Sequence, residues 1–184
     1  MNERFLPIGI QDFEKLRTGN YLYVDKTPLI YQLARTSIPY FLSRPRRFGK
    51  SLLLSTMEAY FLGKKELFKG LAIETLEKEW IEYPVLKISF GVNSYENNER
   101  LRSRLDSIVS ENEARYNIEK QSDDPAERFA NIIREVSKKF NQKLVILIDE
   151  YDKPILDALY TEFEEQNRQE LRSFYSPLKD SDKY

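Results

Sequence analysis

The feature that most constrains the fold is an unbroken apolar run, Leu144–Ile148, that ends in two acids, Asp149 and Glu150. Such a run is typical of a strand that is buried on both faces, as strands of parallel sheets are. An Asp at the end of such a strand can help to hold Mg²⁺, and a following Glu can activate a water as a general base. The alternative interpretation is a core strand that ends in two surface acids.

A second constraint is the basic stretch Arg44–Ser51, which lies between an apolar strand pattern at Pro39–Ser43 and a helix pattern at Leu52–Leu62. A Gly-Lys-Ser sequence at a strand-to-helix turn is typical of the end of a phosphate-binding loop, where backbone N–H groups and the helix N-terminus face phosphate oxygens. The full pattern, G-x-x-x-x-G-K-S/T, requires a first glycine where this chain has Arg44. Half of the motif is therefore present, and its strand-to-helix setting strengthens it.

Together the two stretches predict a site for ATP and Mg²⁺. Lys50 is expected to contact the β- and γ-phosphates, and Ser51 to place its hydroxyl on Mg²⁺. Asp149 is the second predicted metal ligand, and Glu150 and Lys50 are the predicted catalytic residues. The residues predicted to bind the nucleotide are Arg46, Arg47, Phe48, Gly49, Lys50, Ser51 and Leu52.

Composition excludes several other kinds of site. The chain of 184 residues has no Cys and no His, so zinc sites built on those residues, cysteine nucleophiles and histidine-based triads are ruled out. Its net charge of −1 argues against a globally basic nucleic-acid binder. No apolar run approaches the length of a membrane span, and residues 1–5 lack the apolar core of a signal peptide. We therefore expect a cytoplasmic protein that has no membrane partner.

The order of strand and helix patterns predicts an α/β fold with a three-layer, doubly wound, mainly parallel sheet. The expected strands are Pro39–Ser43, Val85–Phe90 and Leu144–Asp149, and the expected inward-facing side chains include Phe41, Leu42 and Phe140. Residues 1–184 are expected to form one domain with its core at 39–184. Residues 1–38 are assigned to the adenine side of the site, where their apolar helix either lines the base or covers the sheet as a peripheral element.

Three stretches resemble the bacterial AAA-ATPase-like domain family: Tyr23–Thr27, Arg44–Ser51 and Leu147–Pro154. The resemblance extends over nearly the whole chain. It implies a P-loop NTPase of the additional-strand, AAA-like type, in which a basic loop without the first glycine is the family's own form. In this family the strand after the acid-terminated one inserts beside the loop strand and carries a polar sensor residue. We therefore expect the chain to be truncated and to lack its C-terminal strands.

The resemblance also implies binding partners for the chain. Full-length relatives commonly continue into a restriction-endonuclease-like nuclease domain, so DNA is an expected partner through a downstream domain that is absent here. By analogy with this family, a homo-oligomer is also expected. Arg44, Arg46 and Arg47 either contact phosphate, reach a neighbouring subunit or DNA, or simply face solvent.

The leading functional prediction is Mg²⁺-dependent ATP binding and hydrolysis. Two alternatives stay open. One is a nucleotide-gated binding module for DNA or protein partners that has little turnover. The other is a small-molecule phosphoryl-transfer kinase, which shares the loop but does not need a Glu beside the metal-binding Asp.

Overall fold

The structure, a computed structural model, describes residues 4–36, 38–45 and 47–180. It divides into two compact units, Met1–Tyr83 and Pro84–Tyr184, and each has a hydrophobic core of its own. The expectation of one domain stays a prediction. No helix in the described ranges is both long and apolar enough to cross a membrane.

The first unit is helical. Its elements are α1 (Phe13–Thr18), α2 (Thr27–Ala34), α3 (Lys50–Phe61) and α4 (Ile73–Leu76), with a 3₁₀ turn at Lys65–Phe68. Asp12 begins α1 by accepting a hydrogen bond from the Lys15 N–H at 2.7 Å, which satisfies one of the unpaired donors of the first turn. The core is formed by Phe13, Ile30, Ala59, Phe68, Leu71 and Ile73.

Two buried hydroxyl groups hold α2 and α3 in the first unit. Ser55 of α3 accepts a hydrogen bond from the Phe13 N–H at 2.9 Å. Thr27 of α2 is fully buried and accepts a hydrogen bond from the Ile73 N–H at 3.1 Å. Buried polar groups need such partners, so these contacts help to fix the positions of both helices.

The predicted strand at Pro39–Ser43 is wrong. The described residues of the first unit contain no strand, and the one bridge found there, between Phe5 and Tyr21, is isolated. A strand needs a neighbouring strand to complete its hydrogen bonds, and the described part of the first unit supplies none. The expected inward placement of Phe41 and Leu42 is also wrong, because these side chains are 66% and 42% exposed.

The second unit is a mixed α/β fold with two parallel strands. Its elements are β1 (Val85–Ser89), α5 (Asn98–Tyr116), α6 (Pro125–Phe140), β2 (Val145–Asp149), α7 (Lys153–Leu156) and α8 (Glu164–Tyr175), followed by a 3₁₀ turn at Ser176–Asp180. The pairing of β1 with β2 runs from Val85 opposite Val145 to Ser89 opposite Asp149. An α/β architecture with parallel strands is therefore confirmed, and the larger three-layer sheet stays a prediction.

Capping residues define the ends of α6. Asp124 accepts a hydrogen bond from the Ala126 N–H at 2.7 Å, and Pro125 occupies the first helical position, as predicted. The helix ends at Asn141, which has a left-handed backbone with φ of 49°. The expected burial of Phe140 is wrong, since this last helical residue is 47% exposed. The core of the unit includes Leu86, Ile88, Phe90, Leu101, Leu105, Ile108, Val109, Phe129, Ile132, Ile133, Val136, Leu171 and Phe174.

A buried arginine links α6 to α5. The Arg128 side chain is 1% exposed and donates to both carboxylate oxygens of Glu113, at 2.9 Å and 2.5 Å. It also donates to Ser110 at 2.8 Å and to Asp106. The hydrogen bonds to Glu113 raise the pKa of the Arg128 guanidinium above its ordinary value. A buried pair of this kind tolerates the loss of neither charge, because the remaining one would lie uncompensated in the interior.

We expect Arg128→Ala to destabilise the second unit strongly. The substitution leaves the Glu113 carboxylate buried without its cation, which costs about 3–5 kcal/mol of unfolding free energy. Chemical denaturation followed by far-UV circular dichroism measures the loss. Arg102→Ala on α5 is the matched control, because its ion pair with Glu170 spans 3.5 Å and its own side chain is 60% exposed, so that it should contribute less than about 1 kcal/mol. Equal losses in the two variants would contradict the structural role of Arg128.

Candidate functional site

The basic loop, residues 44–49, leads directly into α3 in the first unit. Gly49 precedes the helix with a left-handed backbone, φ 74°, a conformation that suits glycine. The Lys50 Nζ donates to two carbonyl oxygens of the loop, that of Arg44 at 2.5 Å and that of Pro45 at 3.3 Å. The ammonium group is therefore held against the loop at a helix N-terminus, where unpaired N–H groups and the helix dipole favour an anion.

The geometry of the basic loop explains how Arg44 can stand in place of the first glycine. Arg44 is not among the residues with positive φ, whereas Arg47 has φ of 67°. Pro45 restricts the residue before it to an extended conformation, which any side chain adopts readily. Among the described residues of this loop the left-handed positions are Arg47 and Gly49, and Arg44 is not one of them, so a glycine is not required at position 44.

Arg47 carries backbone strain, because a left-handed conformation costs a non-glycine residue about 1–2 kcal/mol. We expect Arg47→Gly to raise the unfolding free energy by about 1 kcal/mol, whereas Arg47→Ala, which keeps the strain, leaves it unchanged. Thermal denaturation of the two variants measures this difference. Both variants lose the guanidinium, so a contact between Arg47 and phosphate would weaken Mg·ATP binding in both. Equal unfolding free energies for the two variants would contradict the claim that the Arg47 backbone is strained.

The other predicted nucleotide-binding residues lie around the first turn of α3. Phe48 is 63% exposed, and Ser51 and Leu52 are half-buried. Arg46 lies outside the described residues. The described members of the predicted set are thus consecutive around one helix N-terminus, and their contact with a nucleotide stays a prediction.

The acid pair lies at the carboxyl end of β2 in the second unit. Asp149 is half-buried and is paired with Ser89, the last residue of β1. Glu150 follows outside the strand, is exposed, and has a left-handed backbone with φ of 53°. Its carboxyl group lies beside Gly91, where an added Cβ atom would come within 3.5 Å of the Glu150 Cδ and Oε2. Glu150 therefore turns its carboxyl group toward the loop that follows β1.

Strand β2 is less buried than its apolar sequence predicts. Leu147 is fully buried, and the other four of its five residues are half-buried. Among the described residues the sheet has two strands, so β1 covers one edge of β2 and no described strand covers the other. Ile146 and Ile148 pack against the core on one face, and Leu147 is buried on the other. The expectation of a strand buried on both faces is therefore confirmed in part, with half-burial where full burial was expected.

Four residues join the segment after Glu150 to the loop after β1: Tyr95, Lys153, Asp157 and Asn167. Lys153 lies in the stretch Leu147–Pro154 that carries the family resemblance, whereas the sequence patterns did not single out the other three. The spacing of Lys153 and Asp157, four residues apart, is typical of an ion pair on a helix and could have indicated their contact. Nothing in the sequence indicated the contact between Tyr95 and Asn167, which lie 72 residues apart. Burial raises the pKa of the Tyr95 hydroxyl, so this side chain stays neutral.

The oxygen atoms of the two motifs suit Mg²⁺. Ser51 offers a hydroxyl and Asp149 a carboxylate, and both are hard oxygen ligands of the kind that Mg²⁺ prefers. Across the described ranges, no three acidic side chains lie close enough together to hold a metal ion. Proteins commonly bind Mg²⁺ through one or two side chains together with substrate phosphates, and a hydroxyl or a carboxylate of this kind fits that mode.

The chain is mixed α/β, with a lysine at a loop-to-helix turn and an acid pair after a parallel strand. These features are typical of nucleotide-binding proteins. Comparison with known protein families extends this result. A family described as predicted AAA-ATPase matches residues 7–184. The chain belongs to this AAA-ATPase-like family, as its three sequence stretches predict.

The chain is also similar to a protein of Azotobacter chroococcum mcd 1 that is described as an uncharacterized protein in the vnfD 5′ region. The two are 42% identical over 184 residues, which cover 99% of this chain and 36% of that protein. The chain thus spans about a third of the length of this relative. No solved structure matches the chain significantly.

Proposed function

We propose that this chain binds ATP with Mg²⁺ and hydrolyses it. The observation that carries this proposal is the position of Lys50, whose ammonium group lies at the N-terminus of α3 against the carbonyls of Arg44 and Pro45. An anion bound at this turn meets a cation and the unpaired N–H groups of the helix together. Membership of the AAA-ATPase-like family supports ATP as that anion.

The basic loop supplies the phosphate contacts. Backbone N–H groups of residues 48–52 donate to phosphate oxygens, and Lys50 leaves the loop carbonyls to neutralise charge on the β- and γ-phosphates. Arg46 and Arg47 add guanidinium contacts, which suit phosphate because they can be bidentate. Residues 1–38, in the same unit as the loop, are assigned to the adenine side of the nucleotide.

Ser51 and Asp149 are the residues that would hold Mg²⁺, and the ion would neutralise charge on the transferred phosphoryl group. Glu150 accepts a proton from the water that attacks the γ-phosphate. Its carboxylate is exposed at the end of a strand, and a residue that activates water needs that access.

Phosphate release tests the proposal. The chain supplied with ATP and Mg²⁺ should release inorganic phosphate without an added acceptor, and EDTA should stop the release. Transfer that occurs only with a small-molecule acceptor would instead indicate a kinase. A folded chain that binds ATP and releases no phosphate, with or without DNA, would indicate a nucleotide-gated binding module.

A further inference from the structure

We propose that Lys153 is a positioning residue for Glu150 and acts through a clamp formed by Tyr95, Lys153, Asp157 and Asn167. This inference rests on the proposed function, because it concerns the residue assigned as the general base. Every contact of the clamp lies within the second unit. The clamp joins the turn after β2 to the loop after β1, and Glu150 begins that turn with its carboxyl group beside Gly91 of the loop.

A backbone hydrogen bond from Lys153 constrains the carbonyl group of Glu150. Glu150 has a left-handed conformation, φ 53°, which a non-glycine residue keeps only where its surroundings enforce it. The Lys153 N–H donates to the Glu150 carbonyl at 3.0 Å and closes a turn over residues 150–153. Helix α7 begins at Lys153, so the closing residue of this turn is itself part of an ordered element.

The side chain of Lys153 connects the turn after β2 to the loop after β1. Its Nζ lies 2.5 Å from the Asp157 Oδ2, and the two side chains are only 25% and 22% exposed. The same Asp157 oxygen accepts a hydrogen bond from the Tyr95 N–H at 3.1 Å. The ammonium group also lies 5.7 Å from the centre of the Tyr95 ring, within range of a cation–π interaction. Lys153 is therefore connected to the loop after β1 both directly and through Asp157.

Asn167 completes the clamp from α8. It is fully buried, and its Nδ2 donates to the Tyr95 carbonyl at 3.0 Å and to the Pro154 carbonyl at 3.1 Å. Tyr95 is thus held at its N–H, its ring and its carbonyl. The loop that Tyr95 anchors begins at Gly91, beside which the Glu150 carboxyl group lies. One set of contacts therefore sets both the backbone of Glu150 and the surface next to its carboxylate.

A second ion pair of the same unit provides a matched control. Arg168 and Glu164 are also four residues apart, at 2.9 Å, and they are 42% and 28% exposed. Both residues lie on α8, so this pair links two turns of one helix. Loss of the Arg168 charge should therefore remove an ion pair of the same spacing without moving Glu150.

Lys153→Met tests the inference, because it keeps the apolar stem of the side chain and removes the charge. In steady-state hydrolysis of Mg·ATP by the 184-residue chain, we expect kcat to fall by about 10-fold or more and KM to stay within about twofold, since a misplaced base slows the reaction but leaves binding intact. Lys153→Arg should restore kcat to within about threefold of wild type, and Arg168→Met should change neither constant.

Hydrogen exchange followed by mass spectrometry gives a readout that does not depend on activity. Exchange in peptides that cover Tyr95 and Glu150 should rise by about 10-fold in Lys153→Met and stay at the wild-type level in Lys153→Arg and Arg168→Met. Unchanged exchange at these peptides, or a wild-type kcat in Lys153→Met, would overturn the inference. An equal loss of kcat in Lys153→Met and in Arg168→Met would also overturn the inference. If the wild-type chain releases no phosphate, the proposed function fails, and the exchange data alone decide whether Lys153 positions Glu150.

Discussion

Glu150→Gln is expected to slow ATP hydrolysis by about 100-fold or more and to leave Mg·ATP affinity within about threefold of wild type. Glutamine keeps the size of the side chain and its fit beside Gly91, but its amide accepts no proton at neutral pH. The attacking water therefore loses its base. Binding should survive, because the phosphate contacts are assigned to the basic loop and to Lys50. Steady-state phosphate release and the dissociation constant, measured on the same preparation, separate the two effects.

Glu119→Gln is the control for this substitution. Glu119 is an exposed residue of the same unit, in the loop between α5 and α6. The change from acid to amide is chemically the same there, but it occurs at a solvated position and should leave turnover within about twofold. Turnover at the wild-type level in Glu150→Gln would remove Glu150 from the role of general base.

Lys50→Ala should weaken Mg·ATP binding by at least about 100-fold, which corresponds to about 2.7 kcal/mol. Each hydrogen bond to a charged group contributes about 1.5–3 kcal/mol, so the loss of one ammonium contact to phosphate accounts for this amount. The alanine variant should stay folded, because α3 is held by its buried residues Ser55, Thr56 and Ala59 and not by Lys50. Fluorescent-nucleotide titration of the variant and the wild type measures the difference.

Lys65→Ala serves as the control for total charge. Lys65 is an exposed lysine of the same unit, in the 3₁₀ turn, and its removal changes the net charge as the loss of Lys50 does. The affinity of the Lys65→Ala variant for Mg·ATP should match that of the wild type. Thermal denaturation of both variants shows that each is folded. Wild-type affinity in a folded Lys50→Ala variant would mean that the basic loop is not the phosphate site.

Features that depend on a few neighbouring residues could be predicted from the sequence. Asp124 and Pro125 predict the start of α6 because a side-chain cap and a proline ring act within one turn of a helix. The apolar run before Asp149 predicts a strand, and the strand indeed ends at that residue. The candidate loop was found for the same reason, since Gly49 and Lys50 are adjacent in the chain.

Features that depend on distant partners could not be predicted. The apolar pattern at Pro39–Ser43 is typical of a strand, but a strand also needs a neighbour, and the pattern does not say whether one is present. Lys153 and Asp157 are close in sequence, but their role follows from contacts with Tyr95 and Asn167 on other elements. Such contacts become visible only when the fold brings those elements together.

Calorimetric titration of Mg·ATP into the folded 184-residue chain tests the central claim most directly. We expect saturable binding of one nucleotide per chain, with a dissociation constant in or below the range of about 1 μM to 1 mM that is typical of enzyme–substrate pairs. EDTA should weaken this binding if Ser51 and Asp149 hold the metal. The absence of binding heat, from a chain that circular dichroism shows to be folded, would contradict the claim that the basic loop binds ATP.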